Sequence, residues 1–152
     1  MSSTVRWPII VGLLGLFVLI SRAQTHRNVA VTETHKPVFI TRIYTGPDGQ
    51  THVEETKAAF TAGGVLKLME VTGAELHWLS RDPDADWHRG PCRQYVITLS
   101  GTGEVEIAGG QKIPVGPGHI SLIEDTTGKG HITRNFGDRL TLWLPLADQS
   151  GR

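Results

Sequence analysis

The chain has 152 residues, a length that suits one domain. Its 15 basic and 15 acidic residues balance, so no net field draws the protein to nucleic acid or to an anionic membrane surface. The 18 glycines and 8 prolines favour many short strands joined by turns over a helical fold. Cys92 is the single cysteine, which excludes an intramolecular disulfide.

Residues 1–23 have the pattern of an export signal. Arg6 provides a positive flank, and the apolar run from Trp7 to Ile20 is shorter than the roughly 20 residues of a spanning helix. We predict cleavage after Ala23 and a periplasmic or extracellular location. An uncleaved membrane anchor is the alternative, and it would be the protein's only membrane contact. Residues 24–37 lack periodicity and are predicted to be a linker or N-terminal arm.

The first predicted hairpin joins the strand Val38–Tyr44 to the strand Thr51–Thr56 through a Gly-Pro-Asp-Gly turn. Period-two geometry places His52 and Glu54 on one face of the second strand. If that face is interior, the pair can bind substrate or contribute metal ligands. An exposed edge strand carrying polar residues is an equally weighted alternative.

Further strands are predicted by alternation of apolar and polar residues, with glycine-rich turns between the central ones. These strands are Val65–Val71, Glu75–Leu79, Gln94–Leu99, Glu104–Ile107, His119–Ile123 and Leu140–Leu144. Residues 147–152 are predicted to be a flexible tail. The sequence therefore predicts an all-β domain over residues 38–146.

Two histidines flank the central strands. His88 precedes them and His131 follows them. If the sheet curls into a barrel, the two imidazoles converge, and this convergence is the central functional hypothesis.

The spacing of these residues resembles the two sequence motifs of the cupin family. His88, Gly90, Gln94 and Gly101 have the layout of the first motif, in which cupins usually carry His-x-His, Glu and Gly. Pro117-Gly118 followed by Gly128, His131 and Asn135 is similar to the second motif. The resemblance covers residues 38–145 and extends to a subgroup of small bacterial and fungal cupins. It implies a single jelly-roll β-barrel, and homodimerisation through edge strands.

The resemblance also implies that Gln94 points into the cavity with His88. Alternation then places Val96 and Thr98 on the same inner face, and Thr133 on the face of His131. The predicted substrate-binding residues are His52, Glu54, Gln94, Val96, Thr98 and Thr133.

The cupin layout implies a metal set of His88, Gln94 and His131. Gly90 and Gln94 stand where the family usually has a second His and a Glu, so the set contains two imidazoles and a neutral amide. Zinc is the first expectation for a single divalent metal, followed by iron or manganese. Without metal, His88 and His131 are candidates for general acid and base catalysis. Glu124 or Asp125 either orients His131 or caps the turn before it.

Three functions are compatible with the sequence and stay open. The first is an exported cupin-domain protein that binds a small organic molecule and processes it by lyase, isomerase or oxygenase chemistry. The second is a noncatalytic module that binds such a molecule without metal. The third is a structural dimeric scaffold, which predicts a cavity filled by side chains.

Overall fold

A computed structural model describes residues 36–147. The predicted export signal, nearly all of the predicted linker and the tail beyond Ala147 lie outside the described residues. Within residues 36–147, no helix is long and apolar enough to cross a membrane.

The described part of the chain is all-β, as predicted. Its one helical turn is a short 3-10 segment, Ala108–Gly110. The strands are β1 (Phe39–Thr45), β2 (Thr51–Lys57), β3 (Glu75–Leu79), β4 (Gln94–Ser100), β5 (Gly103–Glu106), β6 (Lys112–Val115), β7 (Ile120–Glu124), β8 (Ile132–Asn135) and β9 (Arg139–Pro145).

These strands form two sheets. The larger sheet has six strands in the order β2-β1-β7-β4-β9-β3, and the smaller has three in the order β6-β5-β8. Pairing is antiparallel except between β1 and β7. Within residues 36–147, the ladder of neither sheet closes on itself.

The β1–β2 hairpin forms as its turn chemistry predicts. Gly49 adopts a positive φ of 73°, a conformation that glycine reaches without steric cost. Its N–H donates to the carbonyl of Gly46 at 3.0 Å, and the Asp48 carboxylate accepts the N–H of Gln50 at 3.0 Å. This turn fixes the register in which Thr45 lies opposite Thr51.

The apolar core lies between the two sheets. Period two sends alternate residues of β5 and β6 inward, where they meet residues of β1 and β7. The buried cluster consists of Ile43, Val105, Ile107, Ile113, Val115 and Ile123.

The strand prediction for Val65–Val71 is wrong. Only Val71 makes a bridge, to Leu146, and Val65 is exposed. Alternation alone does not make a strand, because the backbone groups of a strand must also pair with those of a neighbour. The strand β6 was not predicted, since it contains Pro114 between glycine-rich turns. Proline is tolerated there because β6 is an edge strand.

Candidate functional site

A cavity of about 190 Å³ lies between the two sheets. The larger sheet contributes side chains from β3, β4, β7 and β9, and the smaller sheet contributes side chains from β5, β6 and β8. The predicted interior residues Gln94, Val96, Thr98 and Thr133 all line it. The cavity is therefore lined by both apolar and polar side chains, as are sites that bind small organic molecules.

His88 and His131 also line this cavity. Their backbones form an isolated antiparallel bridge, with N–H to carbonyl distances of 2.9 and 2.8 Å in the two directions. The ring centroids lie 4.6 Å apart with an interplanar angle of 61°. The two imidazoles, 43 positions apart in the sequence, are thus held edge to face by main-chain hydrogen bonds.

Asp125 holds the ring of His131. Nδ1 of His131 lies 2.6 Å from Oδ2 of Asp125, and the two side chains are 6% and 0% exposed. In the tautomer in which Nδ1 carries the proton, Nδ1–H donates to Oδ2 of Asp125. This leaves Nε2 of His131 as the ring nitrogen available to the cavity.

Thr51 supports this pair from the β1–β2 hairpin. Its hydroxyl donates to the carbonyl of Gly130 at 2.8 Å and lies 3.4 Å from Oδ2 of Asp125. Gly130, with φ of 78°, brings its Cα so close to the backbone of His88 that a Cβ would lie 2.0 Å from the His88 carbonyl oxygen. The turn before His131 therefore requires glycine at this position.

The ring of His88 is also held through its Nδ1 atom, but by a backbone carbonyl and not by a carboxylate. Its Nδ1 lies 3.0 Å from the carbonyl oxygen of Asp86, a distance at which Nδ1–H donates. The His88 ring is exposed, unlike that of His131. In both rings an oxygen acceptor engages Nδ1, so both Nε2 atoms are left for a ligand.

The three residues of the predicted metal set all line the cavity, but they offer few donor atoms. Gln94 is buried, and its Oε1 lies 3.9 Å from Sγ of the exposed Cys92. Gly90 has no side chain, and a Cβ there would lie 2.6 Å from Cγ2 of Ile123. Across residues 36–147, no group of three or more His, Cys, Asp or Glu side chains is arranged to hold a metal. The metal set stays a prediction.

His52 and Glu54 are not brought to the cavity. His52 lies at the hairpin turn, where Nε2 is 2.9 Å from Oδ1 of Asp48. Glu54 is exposed and pairs with Arg42 at 3.0 Å. Of the two arrangements considered for this strand, the structure therefore has the edge strand with outward polar residues.

The two acidic residues that end β7 and follow it separate into different environments. Asp125 is fully buried and orients His131. Glu124 lies on the opposite side, where it accepts hydrogen bonds from Arg42 at 2.6 Å and from Arg93 at 2.9 Å. Burial raises the pKa of Glu124, but the hydrogen bonds from the two arginines outweigh it and leave this pKa below its usual value.

Two residues with buried polar atoms that the sequence did not reveal also line the cavity. Arg139, at the start of β9, and Asn135, at the end of β8, both line it. Within residues 36–147, Nε and Nη1 of Arg139 and Oδ1 of Asn135 have no hydrogen-bond partner. The available signal is the alternation of Arg139 with Thr141 and Trp143, which places all three on one face of β9.

His119 is a half-buried residue next to β7. Its Nε2 is buried and has no partner among the described residues. Burial lowers the pKa of His119; Glu55 acts to raise it and the charge of Arg139 to lower it further. The neutral form of the imidazole is therefore favoured.

Comparison with known proteins identifies no family. No known family's sequence model matches the chain, and no curated protein matches it. Among solved structures, the chain is similar to the protein NMB1881 from Neisseria meningitidis, with 16% identity and a TM-score of 0.40 over 53% of this chain and 81% of that one.

Proposed function

We propose that residues 38–146 form a jelly roll of the cupin type whose cavity binds a small organic molecule, with His131 as the acid–base group. The observation that carries the proposal is His131 in the wall of an open cavity, with its ring held by the buried carboxylate of Asp125. Two packed sheets and the position of both cupin-like motifs beside the cavity support the fold assignment. An open cavity also argues against a purely structural scaffold.

The pair is suited to proton transfer. With Nδ1–H directed at the Asp125 carboxylate, Nε2 of His131 can accept a proton from a bound molecule, and the carboxylate stabilises the imidazolium that results. His131 is shielded from water, whereas His88, whose ring centroid is 4.6 Å away, reaches solvent. In this proposal His131 removes the proton, and His88 donates a proton to the ligand or exchanges it with water.

This chemistry fits an isomerase or a lyase better than the other reaction types considered. Many isomerases and lyases begin by removing a proton from a bound molecule, a step that His131 can perform without a further reactant. The oxygenase alternative also consumes O₂ and normally needs a metal or an organic cofactor to activate it. A noncatalytic binding module needs only the cavity, and its signature is binding without turnover.

The residues present do not make a strong metal site. His88 and His131 would offer their Nε2 atoms and Gln94 its amide oxygen, yet a catalytic zinc or iron centre normally has three His or carboxylate ligands. Ile123 occupies the space that a side chain at position 90 would need. We therefore derive no step through a metal, and metal content of the purified protein checks the zinc, iron or manganese prediction directly.

The test is a binding and turnover screen of the purified protein. A panel of small neutral carbonyl compounds and small carboxylates is screened by thermal shift, and each hit is followed by NMR for conversion. We expect His131→Gln to remove turnover and Asp125→Asn to reduce it strongly, with both variants folded. His52→Gln is the matched control, because His52 is a histidine remote from the cavity. Turnover that persists in His131→Gln contradicts the proposal.

We also propose export, on the strength of the predicted signal in residues 1–23. The intact mass of the protein recovered from its host tests it. A mass that begins at Gln24 supports cleavage, and a full-length mass in the membrane fraction supports the anchor.

A further inference from the structure

Arg139 is the one buried cation of the described chain. Among the lysines and arginines of residues 36–147, it alone is buried, with 4% of its surface exposed. Its Nε and Nη1 atoms are out of contact with solvent and have no hydrogen-bond partner within these residues. A buried guanidinium without a counter-ion is energetically costly, and proteins normally pair such a charge.

Other arginines in or next to the two sheets are paired with acidic side chains. Arg42 and Arg93 share the carboxylate of Glu124. Arg134, on the outer face of β8, pairs with Glu106 at 2.6 Å. Arg139 has no acidic partner in residues 36–147, and burial alone accounts for the lowering of its pKa.

The position of Arg139 is that of a ligand-binding group. Its side chain lines the cavity. Nη1 lies 3.3 Å from the point that a Cβ on Gly103 would occupy, so glycine there leaves room for the guanidinium. Gly103 lies opposite Asn135, which is four residues beyond His131 along the chain. Asn135 and His131 are thus roughly 13 Å apart along the backbone, and the side chains of Arg139 and of the histidines reach into the cavity from these two ends.

We propose that Arg139 binds the carboxylate of a small organic acid whose other end faces His131 and His88. This inference rests on the proposed function and names the class of its ligand. A planar guanidinium matches a carboxylate through two parallel hydrogen bonds. One guanidinium balances one negative charge, which favours a monocarboxylate over a phosphate dianion. A cavity of about 190 Å³ restricts the ligand to a small molecule.

The geometry also assigns separate roles to the two ends. The carboxylate is fixed at Arg139, and the uncharged part of the acid is presented to the Nε2 atoms of the two histidines. In this arrangement Arg139 determines which ligands bind, and His131 transfers a proton to or from the bound ligand.

Isothermal titration calorimetry of the full chain tests the inference, with propionate and butyrate as probes and propionamide as the neutral isostere, in a buffer free of carboxylates. We expect the wild type to bind the carboxylates at least tenfold more tightly than the amide. Arg139→Gln should weaken carboxylate binding at least tenfold. Arg139→Lys should weaken it several-fold, because lysine keeps the positive charge but lacks the two parallel N–H donors of the guanidinium. Arg134→Gln is the matched control and should bind as the wild type does.

His131→Gln separates this inference from the proposed function. Carboxylate binding that survives in His131→Gln and disappears in Arg139→Gln supports the anion site independently of catalysis. Binding of neutral carbonyl compounds without binding of carboxylates overturns the anion site and leaves the proposed function standing. Unchanged propionate affinity in Arg139→Gln, or tighter binding of inorganic phosphate than of propionate, also overturns it. Failure of propionate and butyrate to bind the wild type overturns the anion site, whereas the proposed function is decided by the wider screen.

Discussion

Replacement of Gly90 by alanine should destabilise the protein, although alanine is the smallest possible addition. An ideal Cβ at position 90 would lie 2.6 Å from Cγ2 of Ile123, which is itself buried. Two carbon atoms in favourable contact lie about 3.5–4.0 Å apart, so the new methyl group is about 1 Å too close. Overpacking of this kind costs about 1–3 kcal/mol of unfolding free energy.

Gly90 has little freedom to move away from this contact. Its N–H donates to the carbonyl of Asp125 at 3.2 Å, and the nearby His88 is bridged to His131. A shift of the Gly90 backbone would therefore disturb the segment that positions both histidines. For a loss of about 2 kcal/mol and a urea m-value of about 2 kcal/mol/M, the unfolding midpoint should fall by about 1 M.

Urea unfolding followed by tryptophan fluorescence measures this change. Gly137→Ala is the control, since no atom lies within 4 Å of its added Cβ, and it should be neutral or slightly stabilising. Ile123→Ala removes the clashing methyl group, so Gly90→Ala should cost less in that background than in the wild type. A Gly90→Ala protein as stable as the wild type would refute the steric argument, and with it our reason for the missing ligand at this position.

Three further predictions concern pH and assembly. Burial depresses the pKa of His119 below its usual 6.5, so the unfolded state binds more protons than the folded state as the pH falls. The free energy of unfolding should therefore decrease as the pH drops below about 6.5. His119→Gln should reduce this pH dependence, as measured by urea unfolding at a series of pH values. The pKa of Glu124 is depressed below its usual 4.5, so the stability that its ionised form provides should be lost as the pH falls below about 4.5. Glu124→Gln should remove this decrease in the free energy of unfolding at acid pH. Leu76 and Trp78 on edge strand β3 are each 67% exposed, so Leu76→Lys should shift the predicted homodimer to monomer in light scattering.

The interior face of β4 could be predicted because strand geometry is local. Once Gln94 is assigned inward, a period of two places Val96 and Thr98 beside it, and the structure has both in the cavity wall. The same reasoning placed Thr133 with His131. Only the choice of face needed outside information, and the cupin resemblance supplied it.

Non-local features could not be predicted in the same way. The segment Val65–Val71 alternates well, yet the structure pairs it with another strand only through the single bridge at Val71. Likewise, the face on which His52 and Glu54 lie depends on which strands flank β2. Val53 of β2 packs against the core, so the alternate residues His52 and Glu54 point away from it.

Arg139 was not predicted for a different reason. A lone arginine at the start of an apolar strand is usually a solvated end, since lysine and arginine are rarely buried without a partner. For the same reason, the burial of Arg139 in the structure points to a functional role. Arginine normally avoids the interior, yet Arg139 is buried without a counter-ion among residues 36–147, and a negatively charged ligand in the cavity would supply the missing charge.

The consecutive acids Glu124 and Asp125 show how one short segment serves both the fold and the site. Because successive side chains of an extended chain point to opposite faces, Glu124 reaches Arg42 and Arg93 on the outside, whereas Asp125 reaches His131 on the inside. Removal of the first charge should therefore affect stability and leave the cavity intact. Removal of the second should affect the orientation of His131 and leave the arginine pairs intact, so the two variants separate structural from functional contributions at adjacent positions.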